Sequence, residues 1–332
     1  GLGACNSTPE VKEIVVGQYG SLTGAQATFG ISTKNGIELA TDELNAKGGI
    51  GGVKVRMVVE DDQGKAEEVP TVINKILSRD RPVALLGEVA STLSLAAAPL
   101  AQNAGVPMIS PSSTNPKVTQ QGDYIFRVCF IDPFQGTAIA KFAYNTKNVR
   151  KVAILKDVKS DYSQGLSEFF SQTFKSLGGE IVAEEGYSQG DLDFKAQLTK
   201  VIAATPDAIF IPGYYTDVGL IAKQARQLNF SGIFLGGDGW DSTDLVKVGE
   251  DNIVGSYFTN HYSTDDPKPE AFEIPQPDFP AYAIPNFRVE YTPLNTLVPR
   301  GFWRSVEGSV NGFVVQSFFD ELAAAAGKDP VA

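Results

Sequence analysis

The feature of this sequence that most constrains its fold is a regular alternation of short apolar runs with longer segments of helical periodicity. Four runs typical of strands follow one another in the first third of the chain: EIVVGQYG, VKVRMVVEDD, PVALLGEV and VPMIS. Between them lie segments such as AEEVPTVINKILSRD, in which Val69, Ile73 and Ile76 recur at helical spacing. Units of this kind predict a parallel, doubly wound sheet with helices on both faces.

The same alternation restarts after a bridging segment around Phe126–Pro133. The second series of predicted strands is KVAILKD, EIVAEEGYS, DAIFIPGYY and SGIFLGGDGW, again separated by helical segments. A chain of 332 residues also exceeds the roughly 250–300 residues at which a single core stops growing. We therefore predict an α/β fold of two lobes, the N-terminal one over residues 11–128 and the C-terminal one over residues 129–259.

The two ends of the chain have a different character. Eight prolines lie between Pro267 and Pro299, and because proline disfavours helix interiors, residues 267–300 are predicted to be irregular. Residues 305–327 return to helical periodicity, with Val315 and Phe319 on one face, and predict a late packed helix. At the start, GLGAC is similar to the end of a bacterial lipoprotein signal peptide. It predicts lipidation of Cys5 and a polar tether over residues 1–10, the alternative being an incidental cysteine in a disordered tail.

Composition excludes several classes of function. A net charge of −11 opposes binding to nucleic acid or anionic lipid, which requires clustered Lys and Arg. The two cysteines, Cys5 and Cys129, match no metal or redox spacing, and His261 is the single histidine. No apolar run reaches the roughly 20 residues that span a bilayer. A small molecule or another protein is the expected partner, with no metal and no cofactor.

Candidate binding residues of the first lobe follow its predicted strands, at the sheet edge where α/β proteins bind ligands. The stretch Gly17–Gly30 matches neither glycine-rich phosphate motif, so it is either a pocket wall or an ordinary turn. Ser91 and Thr92 precede a predicted helix and could cap it, bind a carboxylate, or do both. The run from Ser112 to Thr114 is either a turn or an anion-binding loop.

The second lobe offers an acid and several aromatic residues at its strand ends. Asp238, beside Trp240 in GGDGWD, is either a helix cap or the partner of an ammonium group. Tyr162, Tyr214 and Tyr215 are candidates for packing or for ligand contact. The chain contains no G-x-S-x-G, C-x-x-C or H-E-x-x-H motif, so no enzyme is predicted. A hydrolase that uses Asp238 is the least favoured alternative.

Several of these stretches together resemble a known family. NGIELATDELNAKGGIGG, ISPSSTNP, DYSQGL and PDAIFIPGYYTDVGLIAKQARQLNFSGIFLGGDGW are similar to the class I periplasmic solute-binding proteins of ABC transporters, specifically the branched-chain amino-acid (Leu/Ile/Val) binding family. The resemblance extends from about residue 11 to residue 266. It implies two lobes joined by a hinge that close on an amino acid, with part of residues 260–332 completing the first lobe.

The resemblance also implies a role for individual residues. Ser91, Ser112 and Thr114 are expected to bind the α-carboxylate of the ligand. Asp238 and Tyr162 are expected to contact its α-ammonium group, with Tyr214 or Tyr215 near that end. Phe29 and Trp240 are expected to form walls for the ligand side chain, so that the Gly17–Gly30 stretch becomes a pocket wall.

The function implied is that of a non-enzymatic, monomeric carrier outside the cytoplasm. It would capture a free amino acid, branched-chain or otherwise apolar, and deliver it to a membrane permease; the alternative is an amino-acid sensor of the same fold. The chain departs from the family in two ways. It lacks the cysteines for a disulfide that many relatives have near Ala90, and the proline-rich residues 267–300 replace an expected amphipathic helix.

Overall fold

Residues 13–261, which a computed structural model describes, contain two α/β lobes, each built on a five-stranded parallel sheet. The first lobe consists of β1 (Glu13–Gly20), α1 (Ala27–Ala46), β2 (Lys54–Asp61), α2 (Val69–Lys75), β3 (Ala84–Leu86), α3 (Ser91–Ala104), β4 (Met108–Ser110) and β5 (Ile125–Arg127). The second consists of α4 (Asp132–Lys141), β6 (Lys151–Asp157), α5 (Asp161–Ser176), β7 (Glu180–Tyr187), α6 (Lys195–Ala203), β8 (Ala208–Phe210), α7 (Tyr215–Gln227), β9 (Ile233–Gly236), α8 (Thr243–Gly249) and β10 (Tyr257–Phe258). Both lobes belong to one compact unit that ends at Asn260.

The two sheets have the same topology. The strand order is β2-β1-β3-β4-β5 in the first and β7-β6-β8-β9-β10 in the second, so in each lobe the first strand lies between the second and the third. In such sheets the connections reverse direction between the first and third strands, and the loops that leave the carboxyl ends there form a crevice. The topology thus places the loops after β1 and β3, and those after β6 and β8, where a ligand site is expected.

Apolar residues from strands and helices form the core on both faces of these sheets. In the first lobe Ile73 and Leu85 are fully buried, and a Cβ added at Gly17 would lie 2.8 Å from Leu85 Cδ2, so a side chain there would displace the core. In the second lobe the rings of Phe170 and Phe210 stack with centroids 4.1 Å apart. Burial of each such side chain contributes about 1.5–3 kcal/mol.

The glycine-rich stretch Gly17–Gly30 connects β1 to α1 through a close backbone contact. A Cβ at Gly30 would lie 2.1 Å from the carbonyl oxygen of Ser21, so glycine is required for the first turn of α1 to pack on this loop. The helix starts at Ala27, earlier than the predicted helix that began near Asn35. Phe29 therefore lies in the first turn of a helix and not in the loop.

The structure confirms the fold class of two doubly wound parallel-sheet lobes, and it adds elements that the sequence pattern did not indicate. The segment around Phe126–Pro133, interpreted as a bridge, contains β5 and the start of α4. Pro133 is in the first turn of that helix, where a missing N–H costs no hydrogen bond. Short π-helical and 3-10 turns also follow several elements, at residues 76–80, 116–121, 142–146, 238–240 and 250–253.

Some predictions lie outside the described residues. These are the tether over residues 1–10 with Cys5, the proline-rich segment 267–300, and the late helix 305–327. The lobe boundaries of 11–128 and 129–259 remain predictions. Within residues 13–261 no helix is long and apolar enough to cross a membrane, and no cluster of three or more His, Cys, Asp or Glu side chains could hold a metal ion.

Candidate ligand-binding site

The loops after β3 and β4 are joined by serine hydroxyls. The carbonyl oxygen of Glu88 accepts hydrogen bonds from Ser110 Oγ at 2.6 Å and Ser113 Oγ at 2.9 Å. The Ser91 hydroxyl accepts the N–H of Asn115 at 3.1 Å. These bonds hold Ser91 and the Ser112–Thr114 run side by side at the carboxyl edge of the first sheet, and Ser112 is the half-buried member of that run.

The amino end of α3 is not capped by a side chain, contrary to the capping alternative for Ser91. The N-cap residue is Ala90, in extended conformation, and Ser91 is the first helical residue. Its hydroxyl bonds to the neighbouring loop instead of to the helix N–H groups. An uncapped helix start carries partial positive charge and free donors, which favour a bound carboxylate.

Arg127 supports this loop from behind, although the sequence did not indicate it. Its guanidinium donates to the carbonyl oxygens of Ser113 at 2.5 Å and Asn115 at 2.9 Å. Burial lowers the pKa of Arg127. Because these N–H groups are used to hold the loop, the first lobe presents hydroxyls and backbone donors, and not this cation, at its edge.

In the second lobe Tyr162, Tyr214 and Asp238 lie close together. The Tyr162 hydroxyl accepts the N–H of Gly239 at 3.1 Å. The rings of Tyr162 and Tyr214 have centroids 5.3 Å apart. Asp238 is half-buried and its Oδ1 accepts a hydrogen bond from Gln135 Nε2 at 3.1 Å. The side-chain cap of α8, the helix that follows Asp238, is Ser242.

The buried amide of Gln135 connects this group to the first lobe. Its Nε2 lies 3.4 Å from Thr114 Oγ1 and 2.8 Å from Asp132 Oδ1. Burial, followed by the nearby Asp238 carboxylate, raises the pKa of Asp132 to about 7 against the hydrogen bonds from Thr114 and Gln135. Neither Gln135 nor Asp132 was predicted, since a single amide and a single acid in a helical segment carry no sequence signal.

The two aromatic residues expected to form side-chain walls lie in different surroundings. Phe29 is half-buried, with its ring centroid 6.3 Å from that of Tyr214 and 5.2 Å from that of Tyr215. Trp240 is 1 % exposed, and its indole N–H donates to the carbonyl oxygen of Ile211 at 2.9 Å. A Cβ at Gly236 would lie 2.1 Å from this indole ring. The structure therefore gives Trp240 a packing role in the second core, and its predicted ligand contact stays a prediction.

Direct contacts join the edges of the two lobes. Thr92 Oγ1 donates to the Asp161 carboxylate at 3.1 Å and accepts the Asp161 N–H at 2.9 Å. The Asn115 side-chain amide donates to the Asp161 carbonyl oxygen at 2.7 Å. Elsewhere along the edge, the hydroxyls of Thr28 and Ser242 are 3.2 Å apart. The loops at the carboxyl ends of the two sheets thus face each other at hydrogen-bond distance.

A buried acid cluster lies under the first-lobe loops. Glu88 Oε1 accepts the N–H and the hydroxyl of Ser21, both at 2.9 Å, and Ser21 Oγ is also 3.3 Å from Asp62 Oδ1. Burial, with the Asp62 charge adding to it, raises the pKa of Glu88 to about 8. Burial also raises the pKa of Asp62 to about 6. Glu88 thereby connects the loop after β1 with the loop after β3.

A chain of contacts runs through the predicted site. The Ser91 hydroxyl accepts the N–H of Asn115, directly after the Ser112–Thr114 run. Thr114 is near Gln135, which bonds to Asp238. Tyr162 contacts both Gly239 and Tyr214. Phe29 then packs on Tyr214. Hydroxyls and helix N–H groups are on one side and a carboxylate with two tyrosines is on the other. This arrangement suits a small molecule that carries both a negative and a positive charge.

Comparison with known proteins identifies the class. The profile of the periplasmic binding protein family matches residues 13–274. An amino acid binding protein of Pseudomonas aeruginosa is 32% identical over 243 residues, which are 73% of this chain and 65% of that protein. The Leu/Ile/Val-binding protein BraC3 of Rhizobium johnstonii is 32% identical over 249 residues, 75% of this chain and 67% of the relative. The chain therefore spans about two thirds of the length of these relatives.

Solved structures of binding proteins are also similar to this chain. A leucine binding protein LivK of Thermotoga maritima matches with a TM-score of 0.72 and 41% identity, over 75% of this chain and 70% of that one. The branched-chain amino acid transporter substrate binding protein LivJ of Streptococcus pneumoniae, solved with isoleucine, matches with a TM-score of 0.72 and 35% identity, over 80% of this chain and 74% of that one. The chain belongs to the periplasmic binding protein family, and several of its relatives are named Leu/Ile/Val-binding proteins.

Proposed function

We propose that this chain is the substrate-binding component of an ABC transporter, which captures a free amino acid between its two lobes and delivers it to a membrane permease. The observation that supports this most directly is the opposition of charge across the inter-lobe edge. Ser91, Thr114 and the start of α3 suit a carboxylate, whereas Asp238 suits an ammonium group. A zwitterion makes both sets of contacts at once, and a ligand with only one charge makes one.

The ligand proposed is a branched-chain or other apolar amino acid. The relatives with this binding name, and the isoleucine in the pneumococcal structure, support it. In this chain the aromatic side chains of Phe29, Tyr162 and Tyr214 supply an apolar surface next to Asp238. The names of these relatives favour transport over the sensory alternative.

The proposed residue roles follow from the same geometry. Ser91, Ser112 and Thr114 would bind the α-carboxylate, and Asp238 with Tyr162 would contact the α-ammonium group. Phe29 and Tyr214 would contact the rest of the ligand. Closure of the lobes would exclude water and strengthen both charged contacts. No reaction step is required of any residue, so we propose a carrier and not an enzyme.

The location follows from the family: we propose an extracytoplasmic protein. Attachment of a lipid to Cys5, action as a monomer and the identity of the permease belong to this proposal as well. Metabolic labelling with a fatty acid tests the lipid, because labelling that persists in a Cys5→Ser variant contradicts the anchor at this position.

The main experiment has two parts. Protein purified from cells is denatured and the released small molecules are identified by mass spectrometry. Refolded, ligand-free protein is then titrated calorimetrically with each of the twenty amino acids. Heat from one or a few apolar amino acids supports the proposal. Heat from none of them, together with no amino acid among the released molecules, overturns it.

A further inference from the structure

The side chain of Gln135 occupies an unusual position between the two halves of the candidate site. It lies in the first turns of α4, is fully buried, and has hydrogen-bond partners from several elements. Its Nε2 lies 2.8 Å from Asp132 Oδ1, 3.1 Å from Asp238 Oδ1 and 3.4 Å from Thr114 Oγ1. Its Oε1 accepts the Asp238 N–H at 3.3 Å and the Thr259 hydroxyl at 2.9 Å.

The chemistry of these partners fixes the orientation of the amide. Two carboxylate oxygens surround the nitrogen, and a backbone N–H and a hydroxyl point at the oxygen. A reversed amide would place its oxygen against both carboxylates and its NH₂ against an N–H donor, which has no acceptor to offer. The observed orientation is therefore the one that satisfies the whole group.

Gln135 holds Asp238 at two points. The amide nitrogen donates to the carboxylate and the amide oxygen accepts from the backbone N–H of the same residue, so one side chain restrains both the side chain and the main chain of Asp238. The amide NH₂ group also donates to both Asp132 and Asp238. It places partial positive charge between the two carboxyl groups and so reduces their repulsion. The amide nitrogen also lies within reach of Thr114 Oγ1, in the loop proposed to bind the α-carboxylate of the ligand.

We infer that Gln135 is a positioning residue for zwitterion recognition, which fixes the Asp238 carboxylate for the ligand ammonium group and sets its distance from the Thr114 loop. The inference rests on the proposed function. Gln135 itself needs no contact with the ligand for this role. Its effect acts through Asp238. Because the same amide contacts Thr114 in the first lobe and Asp238 in the second, the position of Asp238 depends on the loop that contains Thr114.

The test is a double-mutant cycle on the intact chain with the amino acid that the wild type binds most tightly. Gln135→Met is expected to weaken binding by about 10- to 100-fold, the size expected for loss of a hydrogen bond to a charged group. In an Asp238→Asn background the same change is expected to weaken binding by less than about threefold, because the two residues then act as one unit. Gln164→Met, at an exposed glutamine on α5 that bonds to the Val158 carbonyl oxygen, is the control and is expected to have no effect.

A second ligand separates positioning from a general structural effect. The control ligand is the carboxylic acid that has the same side chain as the amino acid but no amino group. It is expected to bind more weakly than the amino acid, and with the same affinity to wild type and to Gln135→Met. If Gln135→Met does not fold, as judged by its thermal melt, Gln135→Ala takes its place, since it removes the Nε2 donor without adding a charge between Asp132 and Asp238.

The outcomes distinguish this inference from the proposed function. No amino-acid binding by the wild type overturns both. Binding by the wild type with unchanged affinity in Gln135→Met, or with losses that simply add to those of Asp238→Asn, overturns the inference and leaves the carrier intact. Equal losses for the amino acid and its deaminated acid also overturn it.

Discussion

The two lobes share one strand order but meet at edges of opposite chemistry. In the first lobe, the loops after the strands carry hydroxyls, backbone donors and a helix start without a side-chain cap. The nearby cation, Arg127, donates to carbonyl oxygens of these loops. The second ends its strands in an acid and tyrosines. The same topology therefore carries neutral donors at one edge and a charge at the other, which we propose recognise an anion and a cation respectively. Binding at the second edge should depend on one charge, whereas binding at the first should be spread over several neutral donors.

The largest effect is expected at the charged edge. Asp238→Asn removes the proposed counter-charge of the ligand ammonium group at nearly constant volume, and we expect about 100-fold weaker amino-acid binding, since loss of one partner of a buried charge pair costs about 2–5 kcal/mol. Calorimetric titration measures it, with the exposed Asp241→Asn as control. Unchanged affinity would show that the second edge does not bind a cation through this residue.

The buried acids of the first lobe should make stability depend on pH. The pKa of Glu88 is raised to about 8 and that of Asp62 to about 6, so the folded chain holds a proton that the unfolded chain releases near pH 4–5. The free energy of unfolding should fall as pH rises from about 5 to 8, by up to about 1.4 kcal/mol per pH unit for one proton.

Glu88→Gln isolates this effect. The neighbouring acid Asp62 and the tyrosines Tyr19 and Tyr214 remain in place. The variant should show a smaller loss of stability between pH 5 and 8 than the wild type in urea titrations, while the exposed Glu180→Gln should match the wild type. Parallel pH profiles for wild type and Glu88→Gln would mean that Glu88 is ionised throughout this range.

A smaller effect is expected at the neutral edge. Ser91→Ala removes a proposed hydrogen-bond donor to the ligand carboxylate, and we expect about tenfold weaker binding, because a hydrogen bond to a charged group contributes about 1.5–3 kcal/mol. It also removes the acceptor of the Asn115 N–H, which should lower stability. The loss of affinity should be similar at low and high salt, unlike that of Asp238→Asn. Ser176→Ala, at an exposed serine, is the control. A loss larger than that of Asp238→Asn would reverse the comparison between the two edges.

The smallest effect is expected where the edges touch each other. Thr92→Val removes both hydrogen bonds to Asp161, which form only when the lobes are together, so the closed state should become less populated. We expect about threefold weaker binding. Small-angle scattering should detect a larger ligand-free radius of gyration than for the wild type or the exposed control Thr199→Val. An identical radius and affinity would show that these bonds do not influence closure.

Much of the fold could be predicted because strand and helix periodicity is local. The strands from β1 to β4 and from β6 to β9 coincide with apolar runs that the sequence shows directly. β5 and the start of α4 lie in or next to the segment around Phe126–Pro133, which was interpreted as a bridge, so neither element was predicted. α1 extends to Ala27 through residues that have no buried face to reveal them, apart from Gly30.

The loops of the candidate site could be predicted from the sequence, but the hydrogen bonds between those loops could not. Residues at strand ends can be read from the order of elements, and Ser91, Thr114, Tyr162 and Asp238 are all located there. Gln135 was missed because its partners lie up to 124 positions away along the chain. Trp240 was expected to form a wall for the ligand side chain because the resemblance implies it. The structure buries its ring in the second core, whereas Asp238, two residues earlier in the same 3-10 turn, is half-buried; the ligand contact of Trp240 stays a prediction.

The shared strand order of the two sheets has a consequence for how such a protein can change its preferences. Each half contributes its own loops at an equivalent crossing of its sheet. Under the proposed function, substitutions confined to residues 214–241 would alter which cationic or apolar group is accepted, while the neighbouring half would keep its proposed contacts with the acid group. Selection acting on one half alone could then generate a series of carriers that differ in cargo and share a single way of holding the common end.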